Sequence, residues 1–176
     1  MDQTFVRHEA SALAASGDQC LSFTLDKEEY AVDILKVQEI KGYSAVTPIP
    51  NSPPHIKGVM NLRGTVIPIV GLREKFGLPP VTYDKFTVVI VVRLGNRVTG
   101  LVVDAVSDVL DLRECEIRPK PDLGQKVDTS FISGMLQWRE RLVILTDVER
   151  IIAESGSAVE HTAGKVPLLE AGQAVQ

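Results

Sequence analysis

The sequence has little of what normally reveals a reaction or a membrane anchor. Its 2 cysteines, Cys20 and Cys115, and its 3 histidines form no CxxC pair and no Cys/His cluster, so a metal site has little support. The longest aliphatic run, residues 88–92, is far shorter than the roughly 20 residues that cross a bilayer. Residues 1–5 carry no basic or apolar leader pattern. We therefore expect a cytoplasmic chain without membrane insertion whose two thiols are reduced and buried, although pattern alone leaves a disulfide open.

Charge and motifs also argue against several classes of function. The 19 basic and 23 acidic residues give a net charge of -4, which does not favour binding nucleic acid by bulk charge. The sequence has no GxxxxGK[ST] phosphate loop and no GxSxG elbow. We expect a non-catalytic protein without cofactor or metal. Two alternatives stay open: a barrel that binds a small molecule or catalyses a reaction through convergent polar groups, and a nucleic-acid-binding barrel with a basic, aromatic face.

The body of the chain, residues 19–154, has the patterns of β-strands. Apolar and polar residues alternate in two segments, and two β-branched runs are typical of strands that are buried on both sides. Gly95 and Asn96 tolerate positive φ and predict a tight hairpin. The alternating segments are 21–25 and 30–34, and the β-branched runs are 66–70 and 88–92.

Helical signals are few. Val148, Ile151 and Ile152 have helical spacing, and Asp147 precedes them as a cap. A short helical turn is possible at 73–76. Residues 33–40 fit either a helix or a bent strand, and their β-branched content favours the strand.

The two ends of the chain have a different composition from the body. Residues 1–18 and 155–176 are rich in small and polar residues and lack a strong apolar period. We expect both to be mobile tails.

An internal repeat gives the best guide to architecture. Residues 25–40 align with 94–109 at a constant offset of 69, and residues 56–72 align with 132–148 at an offset of 76. The approximate repeats therefore span 25–72 and 94–148. We predict an all-β fold of two five-stranded SH3-like barrels packed together, with a short C-terminal helix and a binding groove between the barrels.

Two segments have polar residues that their local structure leaves unexplained. Arg63 lies in a predicted turn, where its guanidinium either faces solvent or contacts a partner or Glu39. Val37 shares a face with Glu39 if the segment is extended, and Val37 also fits the core. Residues 117–123 form a Pro-containing loop that is either a linker or a contact surface.

Three stretches resemble the CheW-like domain family of chemotaxis coupling proteins: residues 23–42, 56–70 and 88–110. The similarity covers about the whole body of the chain, 19–154. The family also includes the regulatory domain of the histidine kinase CheA and the coupling half of CheV. A chain of 176 residues has no room for a kinase or receiver domain, which favours the free-standing coupling proteins.

The resemblance implies a scaffold that links CheA to the cytoplasmic tips of methyl-accepting chemoreceptors and is itself non-catalytic. It implies two SH3-like barrels with a hydrophobic interior between them, a monomer when free, and recruitment to membrane-associated receptor arrays. It also assigns a receptor-contacting groove to five positions: Val37, Glu39, Gly58, Arg63 and Val109.

The resemblance implies two contacts with the kinase. One uses the edge of the first barrel, and the other closes rings through a loop that matches Arg118, Asp122 and Leu123. Leu123 departs from the aromatic residue of the family pattern, which predicts a weaker or differently packed ring contact.

Overall fold

Eleven β-strands form most of a computed structural model that describes residues 19–44, 46–120 and 130–153. The predicted all-β fold is confirmed. No helix within these ranges is long and apolar enough to cross a membrane. The strands are β1 (Gln19–Leu25), β2 (Glu28–Asp33), β3 (Val37–Gly42), β4 (Ile56–Leu62), β5 (Thr65–Gly71), β6 (Val88–Leu94), β7 (Arg97–Val103), β8 (Ala105–Asp111), β9 (Glu116–Arg118), β10 (Ile132–Trp138) and β11 (Arg141–Thr146).

The strands form two sheets, and each sheet takes strands from both repeats. One sheet has the order β3-β6-β7-β5-β4, and the other has the order β8-β1-β2-β11-β10-β9. In the repeat alignment, β1 and β2 correspond to β6 and β7, while β3, β4 and β5 correspond to β8, β10 and β11. Each sheet therefore combines the first two strands of one repeat with the later strands of the other.

The strand register reproduces the repeat residue by residue. Ile69 of β5 pairs in parallel with Gly100 of β7, and Leu145 of β11 pairs in parallel with Ala31 of β2. Leu145 is the repeat counterpart of Ile69 at the offset of 76, and Gly100 is the repeat counterpart of Ala31 at the offset of 69. The two parallel pairs are therefore equivalent. The two repeats thus form the same strand pairing twice. In each case a strand of one repeat pairs with a strand of the other.

Both sheets curl towards closure in the manner of SH3-like barrels. In the five-stranded sheet, an isolated bridge joins Thr47, just after β3, to Val59 on β4. In the other sheet, β9 pairs with β10 in a similar place. The prediction of five strands per barrel missed β9, because Ile117 and Arg118 were assigned to a loop. Its three residues are too few to show alternation in the sequence.

The largest apolar cluster lies between the two sheets, as the resemblance implied. Phe23 is fully buried there and stacks on Tyr30 with ring centroids 5.8 Å apart. Two smaller clusters fill the barrels themselves. The space between the barrels is therefore packed with side chains. The buried members of the cluster between the sheets are Leu21, Phe23, Leu25, Tyr30, Val32, Ile56, Val70, Leu72, Ile90, Val92, Leu101, Val103, Val148, Ile151 and Ile152.

The two predicted helical segments are present. Helix α1 covers Leu72–Lys75, and helix α2 covers residues 148–153. Asp147 caps α2, because its carboxylate accepts a hydrogen bond from the backbone N–H of Arg150 at 3.3 Å. The apolar residues that predicted α2 are buried against the cluster between the sheets.

The segment 33–40 combines its two predicted alternatives. A 3-10 turn covers Ile34–Lys36, and its start is fixed by Asp33, whose carboxylate accepts from the N–H of Leu35 at 2.9 Å. Strand β3 follows directly, so the favoured bent strand is confirmed from Val37 onwards.

One burial prediction was wrong. Residues 66–70 were expected to be buried on both faces, but Val66 is 64% exposed. It lies next to the β4–β5 turn, and the first buried residue of β5 is Ile67. A β-branched run alone does not show at which residue of a strand burial begins.

A buried ion pair joins α1 to the corner between β7 and β8. The buried Arg73 guanidinium donates to Asp104 Oδ1 at 2.8 Å and to Oδ2 at 2.6 Å. Burial raises the pKa of Asp104, but the hydrogen bonds from Arg73 and from the Asp26 N–H, together with the charge of Arg73, lower it more. The net pKa of Asp104 lies below its ordinary value.

Candidate functional site

An exposed ion pair marks the place where the five-stranded barrel closes. Arg63 Nη2 lies 2.7 Å from Glu39 Oε2, with the Arg63 side chain 72% exposed and the Glu39 side chain 21% exposed. Glu39 is on β3 and Arg63 is in the β4–β5 turn, so the pair joins opposite edges of the sheet. The predicted contact between Arg63 and Glu39 is therefore present.

The turn that carries Arg63 is a two-residue hairpin connection. Arg63 has φ 52° and Gly64 has φ 88°, the positive values that suit the twist of a tight hairpin. Asn61 Oδ1 accepts a hydrogen bond from the Gly64 N–H at 2.9 Å. Arg139 has φ 55° in the equivalent turn of the second repeat. Because the unusual backbone recurs, it belongs to the fold and does not by itself indicate a binding site.

Glu39 depends on Arg63 for its charge compensation. The second carboxylate oxygen, Oε1, is inaccessible to solvent and has no hydrogen-bond partner among the described residues. A buried acceptor without a partner costs about 1–3 kcal/mol. Removing the Arg63 guanidinium would leave the whole carboxylate unpaired, so Arg63 both presents a positive charge outwards and holds Glu39 in place.

Two other predicted receptor-contacting residues lie near or in the fold's interior. Val37 is half-buried against the cluster between the sheets, as is its repeat counterpart Val106. Gly58 is buried with φ 143°, and a Cβ there would overlap the Thr47 carbonyl group. Gly58 thus permits the Thr47–Val59 bridge that closes the barrel.

Val109 lies on β8, at the edge of the six-stranded sheet, and is 51% exposed. The structure thus brings Glu39 and Arg63 into contact and places Val37 on the same strand as Glu39. The expectation that Val37 and Glu39 share a face was wrong, because a register shift lies between them. Val37 pairs with Val92 and Glu39 pairs with the adjacent Val91, on opposite faces of the sheet. Gly58 and Val109 are on other strands. All five assignments stay predictions.

Two exposed apolar residues that lie close to the ion pair in sequence escaped the sequence analysis. Ile40 is 45% exposed and Val66 is 64% exposed. Their repeat counterparts, Val109 and Leu142, are also exposed, at 51% and 44%. The repeat alignment contained this signal, because Ile40 falls on Val109, a position that the resemblance had already marked.

The predicted ring contact is only partly described. Arg118 ends β9, its side chain is 53% exposed, and Nη2 lies 3.6 Å from Glu116 Oε1. Asp122 and Leu123 lie outside the described residues. The predicted mobile tails, 1–18 and 155–176, also lie outside them.

The thiols are not arranged as nucleophiles. Both cysteines are free; Cys20 is buried as expected, whereas the expectation for Cys115 was wrong, since it is only half-buried. Burial, with the nearby charges of Asp33 and Cys115, raises the pKa of Cys20 to about 12, and burial also raises the pKa of Cys115. No group of three or more His, Cys, Asp or Glu side chains within the described residues could hold a metal ion.

The sequence is similar to known proteins over most of its length. The model of the CheW-like domain matches residues 19–156. The chemotaxis protein CheW of Klebsiella aerogenes is 48% identical over 149 residues, covering 85% of this chain and 90% of that protein. The chemotaxis protein CheW of Rhizobium meliloti is 35% identical over 142 residues, covering 81% and 92%.

A solved structure gives the same result for the fold. The scaffolding protein TtCheW of Thermoanaerobacter tengcongensis superimposes with a TM-score of 0.67 and 31% identity, covering 74% of this chain and 84% of that one. The chain therefore belongs to the CheW-like domain family of chemotaxis scaffold proteins.

Proposed function

We propose that this chain couples the histidine kinase CheA to the cytoplasmic tips of chemoreceptors, so that receptors control kinase activity. It acts as a non-catalytic scaffold in the cytoplasm and is recruited to receptor arrays at the membrane. The observation that carries the proposal is the exposed Arg63–Glu39 pair, with the exposed Ile40 and Val66 near it in sequence. The similar proteins are chemotaxis proteins and a scaffolding protein, which supports the same reading.

The receptor surface combines a small apolar area with a fixed pair of charges. A receptor helical hairpin would lay its apolar ridge against Val37 and Val109, in the helix-in-groove mode. Glu39 and Arg63 would set the register at the rim, because an Arg guanidinium held by a carboxylate presents its remaining donors in a fixed direction. Gly58 would act indirectly by keeping β4 close to Thr47.

The kinase would bind elsewhere on the molecule. One contact would use the edge of the first barrel, and the other would use the segment that begins at Arg118 and includes Asp122 and Leu123. With separate surfaces, one copy can hold receptor and kinase together. Weak single contacts would then gain strength through multivalency in an array. A coupling free energy of about 1–3 kcal/mol between two states of the assembly would transmit a signal.

Charge reversal at Arg63 tests the receptor surface. Arg63→Glu places two carboxylates together and removes the outward guanidinium. We expect binding of a receptor cytoplasmic fragment to weaken about 30-fold, the equivalent of a 2 kcal/mol hot spot. CheA binding should be unchanged, and the melting temperature should fall slightly because Glu39 loses its partner.

Lys85→Glu is the matched control, because Lys85 is exposed, lies in the β5–β6 connection and undergoes the same change of charge. Equal losses in both variants would indicate a general charge effect, and unchanged receptor binding would remove Arg63 from the site. Reconstitution with receptor fragment and CheA tests the coupling itself. Kinase output that is the same with and without this chain would refute it.

A further inference from the structure

The mouth of the five-stranded barrel is open and positively charged. It forms a cleft of about 340 Å³ whose floor includes the buried Leu62 and Ile67. Two arginines and two side-chain amides reach it, and none of its lining residues is acidic. Its lining includes Gln38, Leu62, Arg63, Thr65, Arg93 and Asn96.

Arg93 has an uncompensated charge. It lies near the end of β6, is exposed, and donates from Nε to the Gly95 carbonyl at 3.1 Å. No carboxylate pairs with it among the described residues. Arg63 is paired only through Nη2, with Glu39. The mouth therefore has two guanidinium groups and one neighbouring carboxylate, which is held by one of them.

The equivalent end of the other barrel carries different side chains. The repeat places Trp138 where the first mouth has Leu62, and Arg141 where it has Thr65. Arg141 is bound to Glu29 at 3.1 Å, and its guanidinium lies 4.6 Å from the Trp138 ring centroid. Arg139, the repeat counterpart of Arg63, also lies over the Trp138 ring, 4.3 Å from its centroid. The second barrel thus has an indole ring and a carboxylate-paired arginine where the first has Leu62 and Thr65.

We propose that the open mouth binds the carboxylate of an Asp or Glu side chain on the partner helix, held between Arg63 and Arg93. This rests on the proposed binding of receptors, and it adds the chemistry of the residue recognised. Charge complementarity carries the assignment, because guanidinium groups match carboxylates and Arg93 has no paired acid among the described residues, while Glu39 holds Arg63 through Nη2. The Gln38 and Asn96 amides supply further donors. Arg93 then determines specificity, because it favours a partner helix with an acidic residue at the contact position over one with a neutral residue there.

Calorimetric titration with a receptor cytoplasmic fragment tests the proposal. Arg93→Glu should weaken binding about tenfold, because it exchanges one attraction for one repulsion at a partly exposed site. Arg93→Gln should give a smaller loss, and Lys85→Glu should stay within twofold of the wild type. The loss should shrink at high salt. Replacing the matching receptor acid with Lys should restore part of the affinity of Arg93→Glu.

The outcomes separate this inference from the function on which it rests. If the wild-type chain does not bind the fragment at all, the proposed function fails and the inference falls with it. If the wild type binds, Arg63→Glu weakens binding, and Arg93→Glu binds within twofold of the wild type, the function stands and the mouth takes no part. If Arg93→Glu weakens binding but no Lys at any acidic position of the receptor tip restores it, a carboxylate is the wrong occupant. Melting curves of both Arg93 variants should match the wild type.

Discussion

Asp104→Asn should destabilise the fold, because it leaves the buried Arg73 without its charged partner. Three hydrogen bonds join the two side chains, at 2.6, 2.8 and 3.1 Å. Arg73 also donates to the Pro79 carbonyl at 2.7 Å, and Asp26 Oδ1 lies 3.7 Å away. Asn removes the charge and keeps the size of the side chain, so packing changes little.

The magnitude follows from the burial of the pair. Removing one partner of a fully buried pair costs about 3–5 kcal/mol, but the Asp104 side chain is 25% exposed and Asp26 stays nearby. We expect a loss of about 2–3 kcal/mol in the free energy of unfolding, or about 5–10 °C in the melting temperature of a chain of this size.

The difference between wild type and Asp104→Asn should depend on pH with a definite sign. The pKa of Asp104 is lower in the folded state than its ordinary value, so its contribution is complete above the unfolded pKa of about 3.9. The contribution is lost as the pH falls through the lower, folded pKa. The two proteins should therefore differ by a constant amount between about pH 5 and pH 8 and converge below about pH 4.

Urea unfolding followed by circular dichroism at several pH values measures this difference. Glu149→Gln is the matched control, because Glu149 is the repeat counterpart of Arg73, and its pair with Lys36 at 3.1 Å is largely exposed. That control should change the unfolding free energy by less than about 0.5 kcal/mol. If Asp104→Asn costs no more than Glu149→Gln, or if its cost persists unchanged at pH 3, the buried pair does not stabilise the fold as argued.

Two further predictions concern the core and the barrel closure. Phe23→Ala should lower the unfolding free energy by about 3–5 kcal/mol, since it empties the centre of the cluster between the sheets and removes the ring that stacks on Tyr30; an unchanged melting temperature would contradict the position of β1. Gly58→Ala should lower the unfolding free energy more than Gly64→Ala in the same urea assay. Both variants place a side chain at positive φ, but a Cβ at Gly58 overlaps Thr47 whereas a Cβ at Gly64 meets open space. Only Gly58→Ala therefore disrupts the closing bridge. Equal costs would show that the bridge tolerates the extra atom.

The repeat was the part of the sequence that predicted most of the fold. It gave the number of barrels, and its offsets agree with the observed register of Ile69 with Gly100 and of Leu145 with Ala31. Apolar alternation over residues 21–25 predicted the strand that buries Phe23, and helical spacing with Asp147 predicted α2. These features are local or duplicated, so a single sequence contains them.

What the sequence could not show depends on contacts between distant residues. β9 exists because Ile117 and its neighbours meet β10, not because of a local pattern. Val66 is exposed because burial of β5 begins only at Ile67, which depends on tertiary packing and not on the local pattern. The cleft at Arg93 depends on residues from several strands and turns that meet only in the folded barrel. The contact of Arg63 with Glu39 was one of two alternatives, and only the closed barrel decides between them.

The exchange of strands between the repeats has a consequence for how the molecule can be divided. A cut in the connection between β5 and β6 would give two fragments, each with some strands of both sheets and a complete set for neither. Neither fragment could bury its apolar faces alone, so proteolysis there should not release an independently folded half. Conversely, two identical copies of a single ancestral repeat could have completed each other's sheets as a dimer, and fusion of the two copies would then yield the present chain without any strand changing its neighbours.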